Sequence, residues 1–196
     1  MKYQLNKPAL QKIRRDLAIR VRALPILKAK ETALRLEVIK SQALQAKLEA
    51  EAAELYRTNE HFLELWTEYP GLLRIDEIHL SERSVAGVPV SIISEIRFHV
   101  LKAGLFHQRG WVVKGTEILK EMVRLRIETD LVRKNTEVLQ QARKKATQKV
   151  NLYEKVQIPQ YTNAIRRIRS FLDDKENISR AAQKIVKERA RQAVGS

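Results

Sequence analysis

No cysteine occurs among the 196 residues. That excludes a disulfide framework, thiol catalysis and thiolate metal sites, and it fits a reducing compartment. Aromatic residues are scarce at 6%, against 44% apolar and 31% charged residues. A compact globular core draws on aromatics, whereas a helix pair needs only a seam of Leu, Ile, Val and Ala and leaves much surface to charge. No uninterrupted apolar run approaches the roughly 18 residues that a membrane span requires. The opening Met1–Pro8 carries no apolar stretch of the signal-peptide kind. The expectation is a soluble, cytoplasmic chain.

Motifs of chemistry are equally sparse. There is no Gly-x-x-x-x-Gly-Lys-Ser/Thr loop to cradle phosphates, and Gly104, Gly110 and Gly115 are too widely spaced for a dinucleotide-binding turn. His61, His79, His99 and His107 never form a His-x-x-x-His pair, so they could make a zinc site only by distant convergence. Packed or solvated imidazoles account for them more simply. Asp173 and Asp174 are neighbours on a helical pattern, where adjacent side chains diverge by about 100° and do not face one site. Asn177-Ile178-Ser179 matches a glycosylation acceptor but has no secretory context. We expect no catalytic residue, no cofactor and no bound metal.

Glycine is rare and confined. Five of the six glycines lie between Gly71 and Gly115, and the sixth is Gly195. The chain therefore divides into helix, insert and helix. Pro8 suits a helix first turn. From Leu10, alternating steps of three and four residues reach Ile13, Leu17, Arg20, Leu24, Leu27, Glu31, Leu34, Val38, Ser41, Gln45, Leu48, Ala52, Leu55, Asn59, Phe62 and Trp66. This is a heptad-like seam, weakened at Ser41, Gln45 and Asn59. The second seam reads Ile118, Met122, Leu125, Thr129, Val132, Thr136, Leu139, Arg143, Ala146, Val150 and Tyr153, then shifts phase and resumes as Tyr161, Ile165, Ile168 and Leu172. Pro25 and Pro159 fall within these segments and are expected to bend or loosen them.

At 1.5 Å per residue the segments would span roughly 90 and 115 Å. Antiparallel pairing is the simplest way to bury both stripes. The predicted fold is mainly α: a long antiparallel two-helix coiled coil with a small β-hairpin-containing insert. The expected parts are an N-terminal coiled-coil helix over 8–69, a hairpin or loop insert over 70–115 and a C-terminal coiled-coil helix over 116–193. Within the insert, Ile96-Arg97-Phe98-His99-Val100 alternates as a strand with one buried face does. Val85–Ile93 is β-branched and broken by Gly87 and Pro89, as edge strands and turns are. Trp66 and Trp111 flank the insert and are expected to pack it against the helix ends.

Acidic residues are few for the number of bases: 23 against 38, a net charge of +15. Residues 1–30 hold nine Lys/Arg and one acid; residues 160–196 hold nine and four. Arg14, Arg15, Arg20 and Arg22, with Arg166, Arg167 and Arg169, are the candidate contacts to an anionic partner. A solvated face, an acidic protein surface and nucleic acid all fit such runs, although aromatic interleaving for single strands is absent or thin.

Three stretches resemble one family in order. Val150-Asn151-Leu152-Tyr153-Glu154 and Val156-Gln157-Ile158-Pro159, followed by Ile165 and Ile168 and the acidic Leu172-Asp173-Asp174, are similar to a segment of the D subunit of V-type and A-type rotary ATPases. Leu24-Pro25-Ile26-Leu27-Lys28-Ala29-Lys30 resembles that family's Leu-Leu-Lys-x-Lys turn, and Val85-Ala86-Gly87-Val88-Pro89 its hairpin segment. Glu31-Thr32 stands where Arg-Asp is usual, and Ala181–Lys187 replaces a Leu-Lys-rich tail, as in a divergent bacterial member.

The resemblance implies a non-catalytic rotor subunit of the central stalk, cytoplasmic and peripheral to the membrane. It would transmit torque between a catalytic and regulatory A–B hexamer and the membrane ion-translocating ring, for ATP synthesis or proton transport. The paired termini would sit inside the hexamer. The insert, with Gly87, Val88 and Pro89, would face the small F subunit of the stalk and a socket subunit of the C/d type. Nucleic acid is not an expected partner. The alternative is a cytoplasmic coiled-coil scaffold or a basic nucleic-acid-binding adaptor.

Overall fold

The computed structural model describes residues 3–101 and 110–194. They are mainly helical, with two long helical stretches and a two-stranded antiparallel hairpin between them. Helix α1 spans Lys7–Thr58 and is continuous through Pro25. Asn6 starts it: its Oδ1 accepts the N–H of Ala9 at 2.8 Å, an N-cap. Asn59 ends it, its side-chain amide donating to the Leu55 carbonyl at 2.8 Å. A 3₁₀ turn (Glu60–Phe62) and a short helix α2 (Leu63–Trp66) lead into strands β1 (Leu73–Val85) and β2 (Val88–Val100). Helix α3 (Gly110–Asn151) passes through a π-helical segment, Leu152–Gln157, into α4 (Ile158–Val194).

The chain forms two compact units, residues 30–145 and residues 1–29 with 146–196. In the unit of both termini, Leu10 and Ile13 of α1 pack with Tyr161, Ala164 and Ile168 of α4, flanked by Leu17, Ile165 and Leu172. Further along, Arg20 meets Gln157 and Lys28 meets Glu154. Rising numbers on one helix thus meet falling numbers on the other, so the pair is antiparallel.

The π segment explains the phase shift in this unit's seam. The N–H of Ile158 bonds the carbonyl of Tyr153, five residues back rather than four. One extra residue in the turn carries the seam from Tyr153 through Gln157 to Tyr161. It also widens the helix just ahead of Pro159, whose ring would crowd the carbonyl four residues before it.

In the other unit, Leu34, Val38 and Leu48 of α1 are buried, with Val112, Leu125 and Leu139 of α3. Of the weak seam positions, Ser41 is joined across the seam by a hydroxyl, while Gln45 bonds Glu49 on its own helix. Thr136 Oγ1 donates to the Val132 carbonyl at 2.8 Å, so Ser41 Oγ is the donor in the 2.7 Å contact between the two hydroxyls. Thr116 donates to Val112 in the same way and accepts from Tyr69 Oη at 3.0 Å. Each hydroxyl is therefore satisfied without interrupting the helix. Apart from Phe62, whose side chain is not described, every residue of both predicted seams is buried or half-buried.

The hairpin closes through Ala86 and Gly87, at φ of 50° and 75°. Val85 pairs with Val88 around this two-residue turn. Two positive φ values match the right-handed twist of the strands, and glycine adopts one without penalty. Strand β2 carries the predicted Ile96–Val100 alternation. Strand β1 shows no such period in its sequence, because an irregularity at Asp76 breaks it.

Candidate interaction surfaces

The basic side chains near the termini divide into two kinds. Arg14, Arg15 and Arg22 on α1 are exposed, as are Arg166, Arg167 and Arg169 on α4. Arg20 is committed inward. Its Nε donates to Gln157 Oε1 at 2.6 Å and one terminal nitrogen to the Asp16 carbonyl at 2.8 Å. Its guanidinium carbon lies 4.5 Å from the centre of the Tyr161 ring and 6.0 Å from that of Tyr153. A planar, weakly hydrated cation suits such a stack. Arg20 is thus a seam residue, bridging the turn that the π segment widens, and contributes little free charge to the surface. Lys28 and Glu154 add an exposed ion pair at 2.6 Å beside it.

The hairpin is docked by its turn end. Val88 and Val90 are buried, whereas Pro89 and Gly87 are exposed. The side chain of Asn135 on α3 clasps the backbone of Ser91 from both sides: its Nδ2 donates to the Ser91 carbonyl at 2.6 Å and its Oδ1 accepts the Ser91 N–H at 3.1 Å. This amide stands in for one residue of a neighbouring strand. A cavity of about 460 Å³ opens beside it, lined by Leu44, Leu48, Val90, Ile92, Leu131 and Leu139 among others. Its walls are mainly aliphatic, with Glu37, Lys40, Arg83 and Glu128 contributing charge. No side-chain set in it has the makings of acid–base or nucleophilic chemistry.

The remaining sequence candidates are spread over the surface. His79 Nε2 lies 3.1 Å from Glu77 and His99 Nδ1 lies 3.8 Å from Asp76, both on the open part of the hairpin. Gly104 and His107 fall outside the described residues. Among the described residues no three His, Asp or Glu side chains converge on a point that could hold a metal ion. Asp173 and Asp174 are exposed on α4. On α3, Arg124 bonds Glu128 at 3.1 Å. That bond, with the charges of Glu128, Glu121 and Glu51, raises its pKa above the ordinary guanidinium value. Trp66 and Trp111 both lie beside Gly115 of α3. A Cβ on Gly115 would stand 3.4 Å from the Trp111 ring and 3.8 Å from Trp66, ordinary contact distances that place both indoles against this residue. Trp66 also meets Tyr69 edge-on at 5.9 Å between centroids.

Sequence reasoning does not reach the Asn135 clasp or the inward role of Arg20. Arg20 does stand among the polar positions of the first seam, which is the available signal. Asn135 lies off the second seam, and nothing in its neighbours points to Ser91, 44 residues away. Among the described residues no helix is long and apolar enough to cross a membrane.

Comparison with known proteins extends over nearly the whole of this architecture. The family model for the ATP synthase D subunit matches residues 9–188. The V-type ATP synthase D subunit of Borreliella burgdorferi is 27% identical over 189 residues, covering 95% of this chain and 94% of its own. The D subunit of Chlamydia felis is 25% identical, over 98% and 94% of the two chains, and that of Chlamydia pneumoniae 24%, over 88% and 85%. A seam-paired helix, a hairpin and a returning helix, matched along that length, lead to one conclusion: the chain belongs to the family of the ATP synthase D subunit.

Proposed function

We propose that this chain is the central rotor-stalk subunit of a V/A-type ATPase and transmits torque between the catalytic hexamer and the membrane ion-translocating ring. The observation that carries the reading is the family match over residues 9–188. Two structural features favour it. A shaft needs resistance to twist, and in each unit antiparallel helices share a seam joined by a specific polar contact: Ser41 with Thr136 in one, Arg20 with Gln157 in the other. A shaft must also turn within its sleeve, which favours many weak contacts over one deep anchor. Exposed guanidinium groups attract acidic loops over about 10 Å at 0.1 M salt and re-form as the surface moves past.

On this reading the termini sit in the A–B hexamer. Arg14, Arg15, Arg22, Arg166, Arg167 and Arg169 face its acidic loops, while Arg20 stiffens the shaft. The hairpin side, with Gly87, Val88 and Pro89, meets the small F subunit of the stalk and a membrane-proximal socket subunit. The chain itself turns over no nucleotide.

The test is reconstitution of the assembled ATPase with Arg14, Arg15, Arg166 and Arg167 changed to Gln. The ratio of ions pumped to ATP hydrolysed should fall, or assembly should weaken, while the free chain keeps its melting temperature. Unchanged coupling together with unchanged assembly would overturn the role of the charged ends. Failure of the wild-type chain to co-purify with a catalytic hexamer would overturn the rotor reading itself.

A further inference from the structure

Four pairs of apolar residues lie on one face of the hairpin: Leu73 with Val100, Ile75 with Phe98, Ile78 with Ile96, and Leu80 with Ile93. Plain alternation would not keep them together. Between Ile75 and Ile78 the spacing is three, and so it is between Ile93 and Ile96. The register slips by one at each of these places, leaving Asp76 extra on β1 and Ser94 extra on β2. Each bulge restores the apolar residue to the shared face, because one inserted residue re-aims every side chain beyond it. The intervening pairs are polar: Arg74 with His99, Glu77 with Arg97, His79 with Glu95. The outer two-thirds of the hairpin therefore has a charged face and an aliphatic face.

The aliphatic face is open. Ile75, Ile78, Leu80 and Val100 are 45, 41, 55 and 39% exposed, and the residues paired with the first three are half-buried. A two-stranded hairpin is marginal in water unless such a face is covered. Its size limits what can cover it. The open aliphatic area is on the order of a few hundred Å², below the roughly 800 Å² per partner of a stable two-body interface. It is too small to hold a second copy of this chain by itself and suits an added contact within a larger assembly.

The edges limit the occupant further. Strand addition needs an even row of free backbone groups, and each strand carries a bulge that interrupts that row. On β2 the Ser91 backbone is already taken by Asn135. The face, not the edge, is what remains. Two strands about 4.8 Å apart, with their side chains, match the roughly 10 Å width of one α-helix, and the four pairs extend over about four helical turns.

The geometry points to a docking site on this face for one amphipathic helix of another subunit of the assembly, contributing apolar residues at three- and four-residue spacing. The inference rests on the chain's place in a rotary ATPase.

The experiment places the photo-crosslinking residue p-benzoylphenylalanine at position 78 or 80 in the assembled ATPase, with position 77 or 97 on the charged face as control. Irradiation at 78 or 80, and not at 77 or 97, should join the chain to a peptide of another subunit that has a helical apolar period. Alongside it, the variant Ile75→Thr, Ile78→Thr, Leu80→Thr should melt with the wild type as a free chain. It should lower retention in the assembly by roughly tenfold or more, because a few central anchors carry most of an interface's binding. Crosslinks only to a second copy, only to lipid, or equal from both faces would overturn the proposal, as would full retention of the triple variant. If the wild type co-purifies with the hexamer in those same preparations, the rotor reading stands even when this site fails.

Discussion

The helices and the hairpin are both two-faced, yet they deal with their apolar faces in opposite ways. Each helix buries its stripe against a stripe of the same chain. Leu34 and Ile168 are fully enclosed, and the polar seam positions Ser41, Thr136, Arg20 and Gln157 find partners across the seam. The hairpin buries only Val88 and Val90 at its turn, and leaves Ile75, Ile78 and Leu80 in water. The difference separates what holds the chain together from what it can offer to others. An enclosed seam sets stability, whereas an open aliphatic face adds little to folding and is available for association.

That contrast can be broken at its strongest point first. Leu34→Ala removes a fully buried side chain from the seam and should cost about 2–5 kcal/mol, read as a fall in melting temperature by circular dichroism. An effect as small as that of an exposed hairpin residue would mean the seam does not carry stability.

The Asn135 clasp comes next. Asn135→Ala strands the N–H and carbonyl of Ser91 on a part-buried strand and should cost about 1–3 kcal/mol. Amide hydrogen exchange should rise at Ser91 and its neighbours in β2 while the helical amides near Leu125 stay protected. Equal loosening throughout would show that the clasp has no local role.

The smallest effect belongs to the hydroxyl pair. Ser41→Ala leaves Thr136 bonded to Val132 and should cost about 1 kcal/mol or less. With Thr136→Val added, both polar groups are gone and the double variant should return close to wild type. A double variant worse than the sum of the singles would indicate that shape, not polarity, governs this part of the seam.

Much of the helical architecture was legible because helical periodicity is a local property. Steps of three and four residues select one side of the helix regardless of what lies opposite, so both seams hold residue by residue. The phase shift near Pro159 was visible too, though its cause, a π segment bonding Ile158 to Tyr153, was not. The exposed arginines of the termini were also readable, since clustered charge at polar helix positions stays in water. Arg20 shows the limit of that reasoning: the same guanidinium serves a surface or a stack on Tyr161, and only the ring opposite decides which.

The hairpin is harder to read. The alternation of Ile96–Val100 correctly marks a strand, and burial follows it in part: Ile96 and Phe98 are half-buried while Val100 is exposed. Strand β1 escapes notice because Asp76 turns a spacing of two into three, which in one dimension looks like lost order. Paired with β2, the same spacing is a bulge that restores a common face.

Local pattern was enough for the helical nature of the chain, the residues of its seams and the basic character of its ends. All of these follow from local period and composition. Folding in three dimensions sets the rest: the turn falls at Ala86–Gly87, Arg20 points inward, Asn135 holds Ser91, and four aliphatic pairs gather on one face of the hairpin. All but the turn depend on a group supplied from far along the chain, and no local pattern encodes which distant residue arrives opposite.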